Sequence, residues 1–342
     1  MIRKITVLLL LAVLLTGCAM PGAGNTPTVY EATFLTLFDT VTTVKGVAPS
    51  QAEFAETAQK IHDDLEYYHR LFDVYHEYAG VSNLKTVNDN AGIVPVTVDR
   101  AVIDLLLDCR AYYELTGGKV NAALGSVLLL WHEARNDGLD NPAEAKLPAA
   151  EKLEAAAAHV DFHAVVIDEA ASTVFLSDPE LRLDVGAVAK GWAAQRVAEA
   201  APAGLLLSVG GNVCATGPKT EDAPWVIGVR DPAGGAADYL HTLYVSGGSV
   251  VTSGDYQRAY MVEGELYHHI IDPETLYPAR YWRSVTIICP DSGLADALST
   301  ALFLLPLEEG QALLDKTGAE AMWVDAAGSC FYSPGFQQNI RT

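Results

Sequence analysis

Several common chemistries have no foothold in this sequence. It has five cysteines in 342 residues, and no two sit at C-x-x-C spacing, so the usual zinc site is missing. Basic residues are scarce. Twenty-two Lys and Arg face 43 Asp and Glu, a formal net charge of −21, which argues against nucleic acid and against an anionic surface as the main partner. No G-x-G-x-x-G lies in a βαβ unit, and there is no Walker A loop and no G-x-S-x-G elbow. The usual nucleotide cradles and the serine-hydrolase nucleophile are therefore absent. No internal repeat is found, and the one low-complexity run is the Ala-rich stretch at 149–158.

The opening apolar run, Ile5 to Leu15, is too short to be a standard membrane span. Arg3 and Lys4 precede it, and it ends in Leu15-Thr-Gly-Cys18. The order of charge, apolar core, small residues and Cys resembles the bacterial lipobox, in which the Cys thiol receives a diacylglycerol and the preceding peptide is removed. A plain signal peptide with a stray Cys, or a buried helix, fits that order less well. The expected division is a signal peptide at 1–17, a flexible tether at 18–29 from lipidated Cys18, and one domain at 30–342. Several acyl chains on one residue would anchor the chain stably to the cell membrane, facing the extracytoplasmic side.

About 310 residues remain, enough for one large or two ordinary domains. The four Cys left (109, 214, 289, 330) lie in apolar contexts, and spacing does not decide whether any two pair. Tyr30 to Lys45 reads as one or two strands. Phe54, Ala58, Ile61, Leu65, Tyr68 and Phe72 recur at helical spacing. A polar loop with Asn83, Asn88, Asn90 and Gly92 follows, then a helix capped by Thr97 or Asp99 that stops at Gly117-Gly118. Lys119 to His132 is apolar and reads as packed near a ligand, residues 137–148 as a surface loop, and 149–158 as a short helix. A hairpin is expected at 164–168 and 173–176, with the strand running on to Leu183. Further strands are expected at 205–209, 225–229, 239–245, 249–252, 259–262, 267–271 and 284–289. A helix at 292–304 closed by Pro306, another at 308–316 and a strand pair around 321–332 complete the pattern. Without strict βαβ alternation, this predicts an α+β fold of mixed sheets with packed helices.

Five constellations carry candidate chemistry. Asp184-Val-Gly-Ala-Val-Ala-Lys190 reads as a carboxylate at a strand end, a turn through Gly186, and a helix start able to hold an anion. Its bland reading is an ordinary helix start with a packing glycine. Asp296 and Thr300 stand at i and i+4 on one helix face, hard oxygen donors suited to Mg²⁺. Alone, such a pair is more often an exposed Asp and a Thr back-bonded to its own helix. His268 and His269 end a strand, so one of them at most should face a given cleft, to bind phosphate or shuttle a proton. Ser253 and Arg258 in the polar turn 252–258 suit a phosphate, and equally suit a hairpin connection. Gly210-Gly211-Asn212 lets backbone approach a ligand, or is only a turn.

Their order is the strongest signal. Phe38-Asp-Thr40, Tyr75, Lys119-Val-Asn121, Asp184 to Gly191, Ser208 to Asn212, Thr252-Ser-Gly254, His269 to Pro273 and Ala295 to Thr300 follow one another along the chain. This series resembles the ApbE family of flavin transferases from about Tyr30 to near the C-terminus. The resemblance implies a T-fold-related architecture and Mg²⁺-dependent cleavage of FAD, with FMN passed to a Thr or Ser hydroxyl of an acceptor protein and AMP released. Implied acceptors are subunits of membrane redox pumps or exported flavoproteins. Carried over by position, the metal ligands are Asp296, Thr300 and the carbonyl of Ala187. The FAD contacts are Phe38, Tyr75, Lys119, Val120, Asn121, Asp184, Lys190, Ile270 and Ser299. His269 and Asp296 are the catalytic candidates, His269 to take the acceptor proton or steady a phosphate. Two departures stand out: Val120-Asn121 replaces Phe-Asp, and Leu276 replaces the Gly of Thr-Gly-Tyr-Pro. The rival readings are an FAD pyrophosphatase of the same fold and a solute-binding lipoprotein.

Replacing Cys18 by Ala is expected to abolish incorporation of labelled palmitate and to move the chain out of the membrane fraction. Labelling that persists in the variant would remove the lipobox reading.

Overall fold

Strands β1 (Val29–Phe34) and β2 (Thr42–Val47) open the computed structural model, which describes residues 28–235 and 238–341. The expected signal peptide, Cys18 and most of the tether lie outside the described residues. Helix α1 (Gln51–Phe72) follows. Ser50 caps it, its Oγ accepting from Glu53 N at 3.2 Å while the hydroxyl donates to the Glu53 carboxylate at 2.9 Å. Phe54, Ala58, Ile61, Leu65 and Phe72 form its buried stripe.

The polar stretch beyond α1 is partly helical, contrary to expectation. Asn83 caps α2 (Leu84–Asp89) by accepting from Thr86 N at 3.1 Å, so an Asn that signals a loop is here a helix start. After β3 (Val96–Thr97), Asp99 rather than Thr97 caps α3 (Arg100–Leu115). The apolar run at 119–132 feeds α4 (Gly125–Asp140), which continues into the region expected as loop, and α5 (Ala150–Ala157) packs on it. The hairpin β4 (Val165–Asp168) and β5 (Thr173–Leu176) forms as expected, but β5 stops well short of Leu183, three residues before Pro179. Then come α6 (Ala189–Ala200), β6 (Leu205–Val209), β7 (Asn212–Ala215), β8 (Trp225–Arg230), β9 (Tyr239–Val245), β10 (Gly248–Gly254), β11 (Tyr260–Val262) and β12 (Glu265–Tyr267). β13 (Ser284–Cys289), α7 (Ser292–Phe303), α8 (Leu307–Leu314), β14 (Glu320–Val324) and β15 (Cys330–Tyr332) complete the chain.

Eight strands form one sheet in the order β1-β2-β6-β7-β10-β13-β14-β15, each ladder antiparallel. Strand alternation shows what covers it. Val251, Ala321 and Trp323 join the helices in the main core, and Leu205, Leu207 and Val209 pack with α1 and α6. Val250, Met322 and Val324 point the other way, against the β8–β9 ribbon and Phe336. Both faces are thus buried, which is why several of these strands are apolar throughout. A smaller sheet, β3-β5-β4, lies beside α3, and the α+β class holds. The four described cysteines are free, and no described helix is long and apolar enough to cross a membrane.

Helix α7 lies on β10 and β13 and is buried almost all round. Helix α6 crosses it closely because Gly191 has no side chain. A Cβ there would collide with Ser292 O and come within 2.5 Å of Asp296 Cβ. Gly191→Ala is expected to destabilise the protein by about 1–3 kcal/mol, the usual range for overpacking a core. Gly247→Ala, where a Cβ meets nothing within 4 Å, should leave the melting temperature nearly unchanged. Equal melting temperatures for the two variants would contradict the close crossing.

Candidate functional site

One cavity of about 500 Å³ gathers residues from the rim loop before β2, the segment after α1, α4, the N-terminal turn of α6, the β6–β7 turn, β10 and α7. That size suits a ligand of cofactor dimensions. Gly210 and Gly211 make the turn, with φ of 59° and 95°, values a two-residue hairpin of the I′ type demands. A Cβ on Gly210 would also strike Thr40, another wall residue.

Most of the expected site converges here. Tyr75, Lys119, Val120, Asn121, Asp184, Ala187, Lys190, His269, Ile270, Asp296 and Thr300 all line the cavity. Phe38 and Ser299 do not. Phe38 sits at φ 52°, its N–H donates to His69 Nδ1, and its ring stands edge-on to His69. Asp39 and Thr40 supply the wall in its place. Ser299 is fully buried behind Asp296, its hydroxyl donating to Asp296 O at 2.8 Å. Ser299 therefore makes the helix back-bond considered for Thr300.

Asp296 is the deepest charged group. Its Oδ2 accepts from Gly191 N at 2.9 Å, and Lys190 Nζ stands 3.7 Å away. Burial raises its pKa, opposed by Lys190, the Gly191 N–H and Asn212. Lys190 also donates to Gly186 O at 3.2 Å. Gly186 N donates to Asp184 Oδ1, so the Asp184 carboxylate holds the turn that leads into α6.

The 119–121 segment contributes differently from the expected contacts. Lys119 Nζ bridges Asp272 Oδ1 at 3.1 Å and Glu274 Oε1 at 3.0 Å. Burial disfavours its charge, but Glu274 and Asp272 outweigh that and raise its pKa. Asn121 donates to Val160 O and accepts from Ala123 N. Both side chains are committed to the protein, and Lys119 ties the loop that carries His269 to the cavity wall. Leu276 turns that loop at φ 63°, the left-handed conformation otherwise left to Gly, with Trp131 Nε1 donating to its carbonyl. Leu276 thus takes the positive φ that the sequence pattern reserves for Gly.

The paired histidines lie past the end of β12 and are not part of a strand, so alternation does not separate them. Both border the cavity, and hydrogen bonds give them different roles. His268 is locked, Nε2 against Ala279 O at 2.8 Å and Nδ1 accepting from Ile270 N. His269 pairs Nδ1 with Gln257 O at 3.1 Å. A carbonyl only accepts, so Nδ1 carries the hydrogen and Nε2 has the lone pair. Burial, then the charges of Arg258 and Lys190, push its pKa down to about 3.

Arg135 lay outside the sequence expectations for the site, whereas His132 and Asn212 belong to stretches expected near a ligand but were given no role. His132 stacks on Tyr75 with ring centroids 4.7 Å apart, and Arg135 donates to His132 Nδ1 at 3.1 Å. Arg258, expected either to meet a phosphate or to belong to a hairpin connection, reaches Phe38 O at 3.4 Å. Neither arginine has a carboxylate partner among the described residues. Burial, then Arg258, lowers the pKa of Arg135. The wall holds four basic and three acidic residues in a chain of net charge −21, an arrangement that suits an anion.

Asp296, Thr300 and Ala187 all border the cavity, and a buried carboxylate, a hydroxyl and a backbone carbonyl are the kind of hard oxygen donors that Mg²⁺ takes. Among the described residues, His62, Asp63 and Glu66 also lie close together, but on the solvent-facing side of α1.

The sequence model of the ApbE family matches residues 35–323. The FAD:protein FMN transferase of Treponema pallidum is 37% identical over 279 residues, 76% of this chain and 75% of that protein. One from Klebsiella pneumoniae is 34% identical over 238 residues, 68% of this chain and 71% of that protein. A crystal structure of the apbe protein of Thermotoga maritima superposes with a TM-score of 0.80 at 33% identity, over 92% of this chain and 100% of that one. The flavin transferase ApbE of Vibrio cholerae, 22% identical, shares the fold with a TM-score of 0.73 over 91% and 99% of the two chains.

Because the pKa of His269 lies below that of a free imidazole, the unfolded chain binds its proton first as pH falls. Neutral His269 therefore contributes stability above about pH 6.5, lost progressively as pH drops towards its folded value. An NMR titration of the ligand-free protein should find this ring uncharged from about pH 8 to about pH 5. Arg258→Gln should raise its midpoint, and a midpoint near that of free imidazole in the unaltered protein would overturn the assignment.

Proposed function

The chain belongs to the ApbE family, and from that premise we propose that its cavity binds FAD and passes the FMN half to an acceptor protein. It is a flavin transferase, an FAD:protein FMN transferase by its relatives. The observation that carries the finer reading is a neutral imidazole, His269, with a free Nε2, lining the same cavity as Asp296, Thr300 and Ala187.

In the proposed step, the hydroxyl oxygen of an acceptor Thr or Ser attacks the phosphorus of the FMN half. The P–O bond to the AMP half breaks, and AMP leaves with the electron pair. The hydroxyl proton passes to His269 Nε2, which Gln257 O holds in the right tautomer. Lys190 and Arg258 flank that imidazole and offset charge on the diphosphate. As the anion neutralises those two cations, the proton affinity of His269 rises, so the base strengthens once substrate is in place. The exposed face of Tyr75, backed by His132, is a stacking surface for one of the ring systems.

Asp296, Thr300 and the Ala187 carbonyl would hold Mg²⁺. When bound, the ion would neutralise phosphoryl charge and fix the diphosphate for in-line attack. Anchored through Cys18 outside the cytoplasm, the domain would meet exported or membrane acceptors, as subunits of redox pumps are.

Asp296→Asn keeps the shape and the Gly191 contact while removing the charge. It is expected to fold normally and to lose flavin transfer by at least about 100-fold, as the loss of several kcal/mol of stabilisation implies. The assay is incubation with FAD, Mg²⁺ and an acceptor, read as a fluorescent acceptor band. Undiminished FAD cleavage by the variant would refute the metal assignment. Equal FMN release by the unaltered enzyme with and without acceptor, and no labelled band, would replace the transferase by a pyrophosphatase.

A further inference from the structure

Native proteins keep few buried polar groups without a partner, because each costs free energy. Among the described residues, nine buried side-chain nitrogen or oxygen atoms find no protein partner, and one alone belongs to a residue lining the cavity: Nδ2 of Asn212. The residue is 2% exposed. Its backbone pairs with Val209 on one side and Val251 on the other, so two strand ladders fix where the side chain leaves. The Gly210-Gly211 turn before it connects β6 and β7 tightly.

The amide is near enough to Asp296 to favour the carboxylate form. That effect is a hydrogen-bond-like contact with the carboxylate, but Nδ2 meets no acceptor at regular distance and angle, and Oδ2 already accepts from Gly191 N. Nδ2 is thus an oriented donor beside the deepest charge of the cavity. It has room for a better acceptor than the protein supplies, and an anionic oxygen is the group that such a donor favours most.

We propose that Asn212 is a substrate-contacting residue whose Nδ2 donates to a phosphoryl oxygen of the bound dinucleotide beside Asp296. The proposal rests on the FAD reading above and names a donor for its diphosphate. A neutral amide suits the position for two reasons. A further cation would compete with a metal for the Asp296 carboxylate, and a further carboxylate would repel the diphosphate. The donor is oriented before substrate arrives, so binding costs no reorganisation of the side chain.

The test compares FAD binding, in the presence of Mg²⁺, with thermal unfolding in its absence. N212L removes the donor at similar volume. FAD affinity should fall about 10- to 100-fold, the worth of a hydrogen bond to a charged group. The melting temperature of the ligand-free variant should stay nearly unchanged, because the weak contact with Asp296 that is lost is offset by the loss of a poorly satisfied buried donor. Riboflavin, which has no phosphate, should bind the two proteins equally. N212A removes the same donor without a branched side chain and carries the same expectation if N212L fails to fold. Unchanged FAD affinity in a folded variant, or a loss shared equally by riboflavin, would overturn the proposal. Failure of the unaltered protein to bind FAD at all would instead remove the reading on which it rests.

Discussion

The contact between the first turn of α6 and the buried side of α7 sets the geometry of everything else in the site. Gly191 lets the two helices approach until its N–H meets Asp296 Oδ2. A carboxylate facing free N–H groups at a helix start is favoured by both hydrogen bonding and the helix dipole. That favourable field offsets part of the cost of burying Asp296. Because α7 is packed on β10 and β13, the carboxylate is as fixed as the core itself. The same segment carries Ala187 and Lys190, so one crossing brings the expected metal ligands from two distant parts of the chain to one cavity.

Charge is arranged locally against the global balance. An acidic chain repels anions at long range, yet the cavity wall holds Lys190, Arg135 and Arg258 among few acids. Lys119 is the exception among its basic residues, since Asp272 and Glu274 consume its charge to anchor the His269 loop. The cations do a second job. After burial, which is the larger cause, Arg258 and Lys190 help to keep His269 neutral. On the proposed function, a bound diphosphate would offset those two charges and so couple substrate entry to base strength.

Much of the site was legible because residue types at motif spacing imply chemistry that does not depend on detail. Asp296 and Thr300 share a helix face wherever that helix lies, and the Gly210-Gly211 turn could hardly be anything but a tight connection. Other parts were illegible for equally physical reasons. Nothing in the spacing of His132 and Arg135 distinguishes a cavity wall from a solvated helix face, since that depends on how α4 docks. The Asn83 cap looked like loop because the same side chain serves both. The histidine pair was read through strand alternation, but β12 ends one residue too early for that rule to apply. Phe38 and Ser299 sit one layer behind the cavity, where position along the chain is right and orientation is not.

By itself the sequence determined the α+β class, the long helices, the apolar strands and the family, because periodicity, caps and the order of short motifs are local properties. It also determined which residues have chemistry to offer. Only the tertiary structure decided which of them face the cavity, that Lys119 and Asn121 are spent on the protein, and that His269 rather than His268 keeps a free nitrogen. It likewise decided that the Asn212 amide is left without a protein acceptor. Hydrogen-bond partners, burial and pKa arise from groups far apart in the chain, and those become neighbours only when α6, α7 and the central sheet pack together.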